Sequence, residues 1–276
     1  MNSYSLLEQM EKNLNTFCMR VKEWYAWHFP ELNALLPDNE AYVKFVMAVG
    51  DRGNLNQMSH EDLQELVGDA DVALQILERA KSSMGNDLNE VDEECLKSFA
   101  EYVSQHFDFK RELQGYLKDV MSGVAPNLTE LLGETVGAKL LTQAGGLLHL
   151  AKLPASTIQI LGAEKALFRA LKTKSRTPKY GHLYNSSFIG KAKSNDKGKV
   201  SRCLANKCAL ASRLDSFLVK PTSKFGEIFK RQVQERVDGV VPTVQLNKRN
   251  HQEMEDLVQE LKDDGLYFQR KAVKTD

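Results

Sequence analysis

The sequence predicts an all-α chain, and three observations predict it. Apolar residues recur at spacings of three and four over long stretches, which is the rhythm of one helix face. No segment alternates convincingly at period two, the rhythm of a strand. Helix-entry signals, foremost Ala125-Pro126-Asn127, punctuate the periodic runs.

Leu7, Met10, Leu14, Phe17, Val21 and Trp24 lie on one seam of a long first helix that ends near Pro30. Cys95, Phe99, Tyr102, His106, Phe109, Leu113, Tyr116 and Val120 repeat the rhythm, entered through the carboxylate-rich NDLNEVDEE at 86–94, which suits the positive end of a helix dipole. Two heptad helices in one chain fold back most simply as an antiparallel pair, with the shorter helices of 31–84 as a cap. The seam rings are expected to pack between the helices. Being bulkier than the residues of simple zippers, they also point to outer faces that recruit a partner, and Phe109 and Tyr116 are assigned to that contact.

After the boundary, NLTELLG reads as a capped helix start, with Asn127 or Thr129 accepting from the first free amides. On a helix beginning after Gly162, Lys165, Phe168, Arg169 and Lys172 share one face, and Ala163, Leu167, Ala170 and Leu171 fall on the packing side. From Lys165 to Lys179 there are six cations and no carboxylate. Positive charge around the ring of Phe168 is the composition expected where a protein meets phosphates and stacks on a base or a partner side chain. A polar, basic loop is expected over 190–199, mobile without its ligand. In the long helix that follows, to about Phe217, Val200, Leu204, Cys208, Ala211 and Leu214 can pack while Lys199, Arg202, Asn206 and Arg213 form a cationic stripe. A further amphipathic helix buries Phe225, Phe229 and Val233.

The net charge of zero hides an asymmetry. Residues 1–125 carry 11 Lys/Arg and 22 Asp/Glu, whereas 126–276 carry 26 and 15. This points to an interaction module beside a nucleic-acid-binding module. The expected organisation is a coiled-coil domain with its cap over 1–124, a basic nucleic-acid-binding domain over 125–240, and a partly helical acidic tail over 241–276.

Enzyme chemistry finds no constellation. GETVGAKL at 133–140 has the wrong glycine spacing for a phosphate loop and lacks its Lys and Ser/Thr. The six histidines have no ligand spacing, and His28 and His106 fall in or beside the seams as packed or hydrogen-bonded groups. Cys18, Cys95, Cys203 and Cys208 fit no metal pattern and are expected as reduced, buried thiols. No catalytic residue, metal or cofactor is expected. The apolar runs are too short for a membrane span, so the chain reads as soluble and intracellular.

GAEKALFRALKT, TPKYG and KGKVSRCLANKCALASRLDSF resemble the Nop domain family, core proteins of box C/D small nucleolar ribonucleoproteins. NTFCMRVKEWYAWHFPEL at 15–32 and SSMG at 82–85 resemble its nucleolar branch, and GAEK and KGK favour that branch over the spliceosomal paralogue. The resemblance implies a coiled-coil domain followed by an α-helical Nop domain. It implies binding to a box C/D guide RNA together with a small kink-turn-binding protein, and pairing with a paralogous or identical Nop protein through the coil. Fibrillarin contact is implied only through an amino-terminal domain that this sequence lacks, and residence in the nucleus and nucleolus follows. Lys152, Ala155, Lys179, Arg202 and Arg213 match RNA-facing positions of the family, and Lys165, Arg169 and Lys199 join them as cations. The expected role is a non-enzymatic scaffold supporting guide-directed 2′-O-methylation of ribosomal RNA. The alternative is a helical adaptor whose basic half binds an acidic protein.

Overall fold

The computed structural model describes residues 2–56, 60–218, 221–238 and 243–263. Among them every regular element is helical, with fifteen α-helices, two short 3-10 segments and no strand. They form two compact units, Leu6–Gly115, and Met1–Ser5 with Tyr116–Asp276. No helix among the described residues is long and apolar enough to cross a membrane.

The first unit is built on α1 (Asn2–Tyr25) and α6 (Glu90–Val124), with α2 (Leu32–Leu35), α3 (Asn39–Val49), α4 (His60–Val67) and α5 (Ala70–Lys81) between them. Within the unit α1 and α6 run antiparallel: Trp24 meets Phe99, Phe17 meets Tyr102 and His106, and Glu11 pairs with Lys110 at 3.3 Å. The buried stripe of α1 is Leu7, Met10, Leu14, Cys18, Val21 and Tyr25. Phe17 is only partly covered and Trp24 is exposed, because a straight helix of 3.6 residues per turn drifts off a strict heptad and moves the stripe one residue on.

In α6 the buried residues follow expected seam positions by one, while Phe99, His106 and Leu113 of that seam are partly covered, Phe99 and His106 against Phe17. Leu96, Ala100, Val103, Leu117 and Met121 are buried, whereas Tyr102, Phe109, Tyr116 and Val120 are exposed. Phe17 of α1 meets Phe99, Tyr102 and His106 of α6, each at 6.1 Å between ring centroids, so these rings pack at the contact of the two helices while Phe109 is left exposed. Cys95, expected to be buried, is exposed, and Leu96 beside it is buried instead.

The cap is fixed to the end of the helix pair by hydrogen bonds from SSMG. The Glu31 carboxylate accepts from Ser83 Oγ at 2.7 Å and from the Met84 N–H at 3.3 Å, and the Asn86 N–H donates to the Trp27 carbonyl at 2.9 Å. His28 is buried there. Its Nδ1 donates to the Asn86 carbonyl at 2.7 Å and its Nε2 accepts from the Arg52 N–H at 2.8 Å, which fixes the tautomer. A Cβ on Gly85 would stand 1.8 Å from the His28 carbonyl oxygen, so no larger residue fits this approach.

The second unit contains α7 (Pro126–Leu132), α8 (Glu134–Ala144), α9 (Leu147–Lys152), α10 (Ala155–Ile160), α11 (Glu164–Thr173), α12 (Ser187–Lys191), α13 (Lys197–Phe217), α14 (Lys224–Asp238) and α15 (Thr243–Asp263). Helix α13 is its axis, packed by α7, α9, α10 and α14. Leu204, Cys208, Ala211, Phe225, Phe229 and Val233 are fully buried in the core. α15 adds Leu257 and Leu261 to it, while residues 264–276 of the expected tail lie outside the described residues.

The start of α7 differs from expectation. Asn127 is fully buried and caps nothing of its own helix; Asp215 of α13 accepts from the Asn127 and Leu128 N–H groups at 3.2 and 3.0 Å. Asn127 instead accepts the Gly226 N–H at 2.8 Å and donates from Nδ2 to Asp215 at 2.7 Å, joining α7, α13 and α14. Burial pushes the Asp215 carboxyl above its ordinary range, against the pull of these three donors.

Candidate nucleic-acid interface

Helix α13 buries apolar and small side chains, among them Val200, Ser201, Leu204, Ala205 and Ser212. The other side carries Lys199, Arg202, Asn206 and Arg213, all exposed, together with exposed Leu210 and Phe217. From Lys199 to Arg213 is fourteen residues, about 21 Å at 1.5 Å per residue. The stripe is therefore long enough to follow several phosphates.

Neighbouring elements bring further cations to both ends of it. Arg213 Nε donates to the Ala151 carbonyl at 3.1 Å, which holds the end of α9, with Lys152 exposed beside it. Pro154 then starts α10, whose first residue Ala155 is half-buried against the core. At the other end Gln159 Nε2 donates to the Lys179 carbonyl at 2.6 Å and Gly181 N–H donates to the Gln159 carbonyl at 3.0 Å. The Lys179 stem thus lies against Gly198, where an added Cβ would be 3.5 Å from its Cδ. Lys152, Ala155 and Arg213 gather at one end of α13, Lys179, Lys199 and Arg202 at the other.

Lys199 is tethered, its Nζ donating to Asp196 at 2.9 Å, and this bond with the lysine's charge holds the Asp196 carboxyl below its ordinary range. The expected loop over 190–199 shrinks to residues 192–196, because α12 takes its first part and a turn through Lys193 and Asp196 starts α13 at Lys197.

Lys199, Arg202, Asn206 and Arg236 line a recess of about 170 Å³ with Cys203 at its floor. Burial pushes the Cys203 thiol above its ordinary value. Next to it Lys207 is half-buried, donates to Gln232 Oε1 at 2.5 Å and lies over the Phe229 ring at 5.1 Å. Burial is the first reason its ammonium is held below the usual lysine range. Arg236 was not singled out by sequence. It stands on α14, and no spacing along the chain relates it to Arg202.

GAEK divides by role. Glu164 Oε1 accepts the Gly162 N–H at 2.8 Å and the Gln143 amide at 3.4 Å, closing the turn before α11. Gly162 has φ +91°, and a Cβ there would strike the His182 ring at 2.3 Å. Lys165 and Arg169 are exposed, with Phe168 at 63%. Leu171, expected to pack, is 60% exposed, because α11 buries only Ala170 and closes early at Lys174 in the left-handed conformation. Lys165, Phe168 and Arg169 form a face of their own, on an element distinct from the α13 stripe.

The family described as "Nop, snoRNA binding domain, fibrillarin" matches residues 6–239. The chain belongs to this family. Nucleolar protein 56 of Schizosaccharomyces pombe is 52% identical over 244 residues, covering 87% of this chain and 49% of its own length. The Saccharomyces cerevisiae protein of that name is 51% identical over 235 residues, 85% of this chain and 47% of its own. The Homo sapiens protein is 46% identical over 272 residues, 99% of this chain and 46% of its own. The chain spans about half the length of these relatives. A solved structure titled as a fibrillarin/Nop5p complex aligns with a TM-score of 0.42 at 25% identity, covering 84% of this chain and 78% of that one.

Proposed function

We propose that this Nop-family chain is a non-enzymatic core scaffold of a box C/D small nucleolar ribonucleoprotein, resident in the nucleolus. Its RNA surface is the α13 stripe with Lys152, Ala155 and Lys179 at its ends, and its ligand is a kink-turn RNA already carrying its kink-turn-binding protein. The observation that supports this best is the convergence of Lys152 from α9, Lys179 from the segment before Gly181 and Arg236 from α14 on the cationic stripe of α13. Such a surface follows a phosphate backbone and takes its specificity from shape. Lys165 and Arg169, with Phe168 between them, meet the kink-turn-binding protein or flanking RNA. The exposed α6 rings, Phe109 and Tyr116 among them, engage a paralogous Nop protein. On this reading residues 1–124 pair, residues 125–240 bind RNA and its protein, and residues from 241 onward support them. In the particle the chain positions guide RNA for 2′-O-methylation by a fibrillarin-type partner, which supplies the chemistry.

The test measures affinity for a box C/D kink-turn RNA, with and without its kink-turn-binding protein, at one salt concentration near physiological. Binding at least tenfold tighter to the RNA–protein complex is expected. Equal affinity for the two forms refutes composite recognition, and preference for an acidic protein over either favours the adaptor. With Lys179→Ala a phosphate contact shows as a shallower salt dependence, a packing role as an unchanged slope.

A further inference from the structure

A second recess lies far from this surface in kind: it is acidic and aromatic, and it belongs wholly to the Leu6–Gly115 unit. We propose that it binds an arginine-bearing basic peptide. The cavity, about 490 Å³, lies where the end of α1, the segment after SSMG and the start of α6 meet, and its volume is within the range of about 300–1,000 Å³ typical of ligand sites. The sequence contains two tryptophans, Trp24 and Trp27, and both line it. Trp24 rests on Phe99 at 5.4 Å and leaves about half its surface open; Trp27 is 74% exposed. Asp87 and Asp92 supply carboxylates to the same recess, and no Lys or Arg is among the described residues that line it.

An open indole beside carboxylates is suited to a cation. Guanidinium is planar and weakly hydrated, so it can stack on an indole face and donate in its own plane to a carboxylate. Asp87 has one oxygen 3.3 Å from Arg52 Nη2, but its side chain is 99% exposed and keeps acceptor capacity. The walls are fixed beforehand by the Glu31–Ser83, Glu31–Met84 and Asn86–Trp27 bonds, which lowers the ordering cost of binding. A peptide with several cations, rather than a single small amine, matches the field around the site: residues 1–125 hold twice as many carboxylates as cations. The inference uses none of the residues assigned to RNA and stands or falls separately.

The test is a titration of the full chain with an acetylated, amidated octapeptide of alternating alanine and arginine, followed by intrinsic fluorescence, since both emitting tryptophans are at the site. A saturable change is expected. The same peptide with citrulline for arginine should bind at least about tenfold more weakly. Measured by anisotropy of dye-labelled peptide, Trp27→Ala should weaken binding about tenfold, and Asp87→Asn with Asp92→Asn about fivefold. Asp71→Asn with Glu78→Gln, the same charge removed from the exposed face of α5, should change it less than about twofold. If Trp27→Ala lowers the melting temperature, Trp27→Phe keeps a ring and should retain most of the affinity; loss there as complete as in the alanine variant overturns the proposal. So do equal binding of the citrulline peptide, equal loss in the α5 control, or a titration without saturation.

Discussion

Helices α6 and α13 are both long and amphipathic, but the outer face of α6 is rich in exposed rings and that of α13 in cations, with Leu210 and Phe217 between them. In α6 Leu96, Ala100 and Val103 are buried, Phe99, Tyr102 and His106 meet Phe17 of α1, and Phe109, Tyr116 and Val120 are exposed. In α13 Val200, Leu204, Cys208 and Ala211 pack inward, and the outer face is cationic with Leu210 and Phe217 exposed among the charges. The difference teaches that apolar periodicity locates a buried face most sharply where charge marks the opposite one, as along most of α13, and less sharply where rings are spread around the helix, as in α6.

The largest effect should come from the interior against which α13 packs. Phe229→Ala empties a fully buried site and should cost about 3–5 kcal/mol in denaturant unfolding. Phe109→Ala in α6, where the ring is 48% exposed, should cost less than about 1 kcal/mol in the same measurement. A Phe109 variant as damaging as the Phe229 variant would return that ring to the interior and erase the contrast.

Asp215→Ala comes next, because it leaves the buried Asn127 side chain and two helix-start N–H groups without their acceptor. A loss of about 1–3 kcal/mol is expected, seen as a lower unfolding midpoint. Little change would mean that solvent replaces the cap.

Arg202→Glu should weaken binding to the RNA–protein complex at least tenfold, about 1.4 kcal/mol, with helicity unchanged by circular dichroism. Arg213→Glu should match that loss and also lower the melting temperature, because Arg213 holds the Ala151 carbonyl as well. Arg202 and Arg213 behaving alike in the melt would show that this bond contributes little. Arg270, a control position in the carboxy-terminal segment, lies outside the described residues.

The smallest effect is a pH dependence at Glu164. Burial raises its pKa, but hydrogen bonds from the Gly162 N–H, its own N–H and Gln143 outweigh that, and the net shift is downward. A lowered folded pKa means that the ionised cap stabilises the fold above the ordinary glutamate value and that this contribution is lost as pH falls through the lowered one. The melting difference between Glu164→Gln and the unaltered chain should therefore shrink between about pH 6 and pH 3. A difference constant over that interval would place the effect of the substitution outside ionisation.

Much of the architecture was legible because local pattern and packing agree. The α13 stripe could be read from spacing alone, and Phe225, Phe229 and Val233 could be placed inside. What spacing could not supply was the identity of partners distant in sequence. Asp215 caps a helix 87 residues earlier, Arg213 holds a carbonyl 62 residues earlier, and Arg236 joins Arg202 from another helix. A carboxylate or guanidinium on a helix surface has the same local signature whether it is solvated or clasps another element. Leu171 misled for the converse reason: its helix has an apolar side with little to cover it.

Arg213 and Asp215 belong to a single turn of α13, yet they hold opposite ends of one stretch of chain, residue 151 and residues 127–128. The segment from α7 to α9 is thus buckled at both ends to the same point. Fraying from either end would have to undo that point, so amide protons across these three helices should exchange with deuterium in one cooperative opening, at a common free energy, and no helix of the three should loosen ahead of the others.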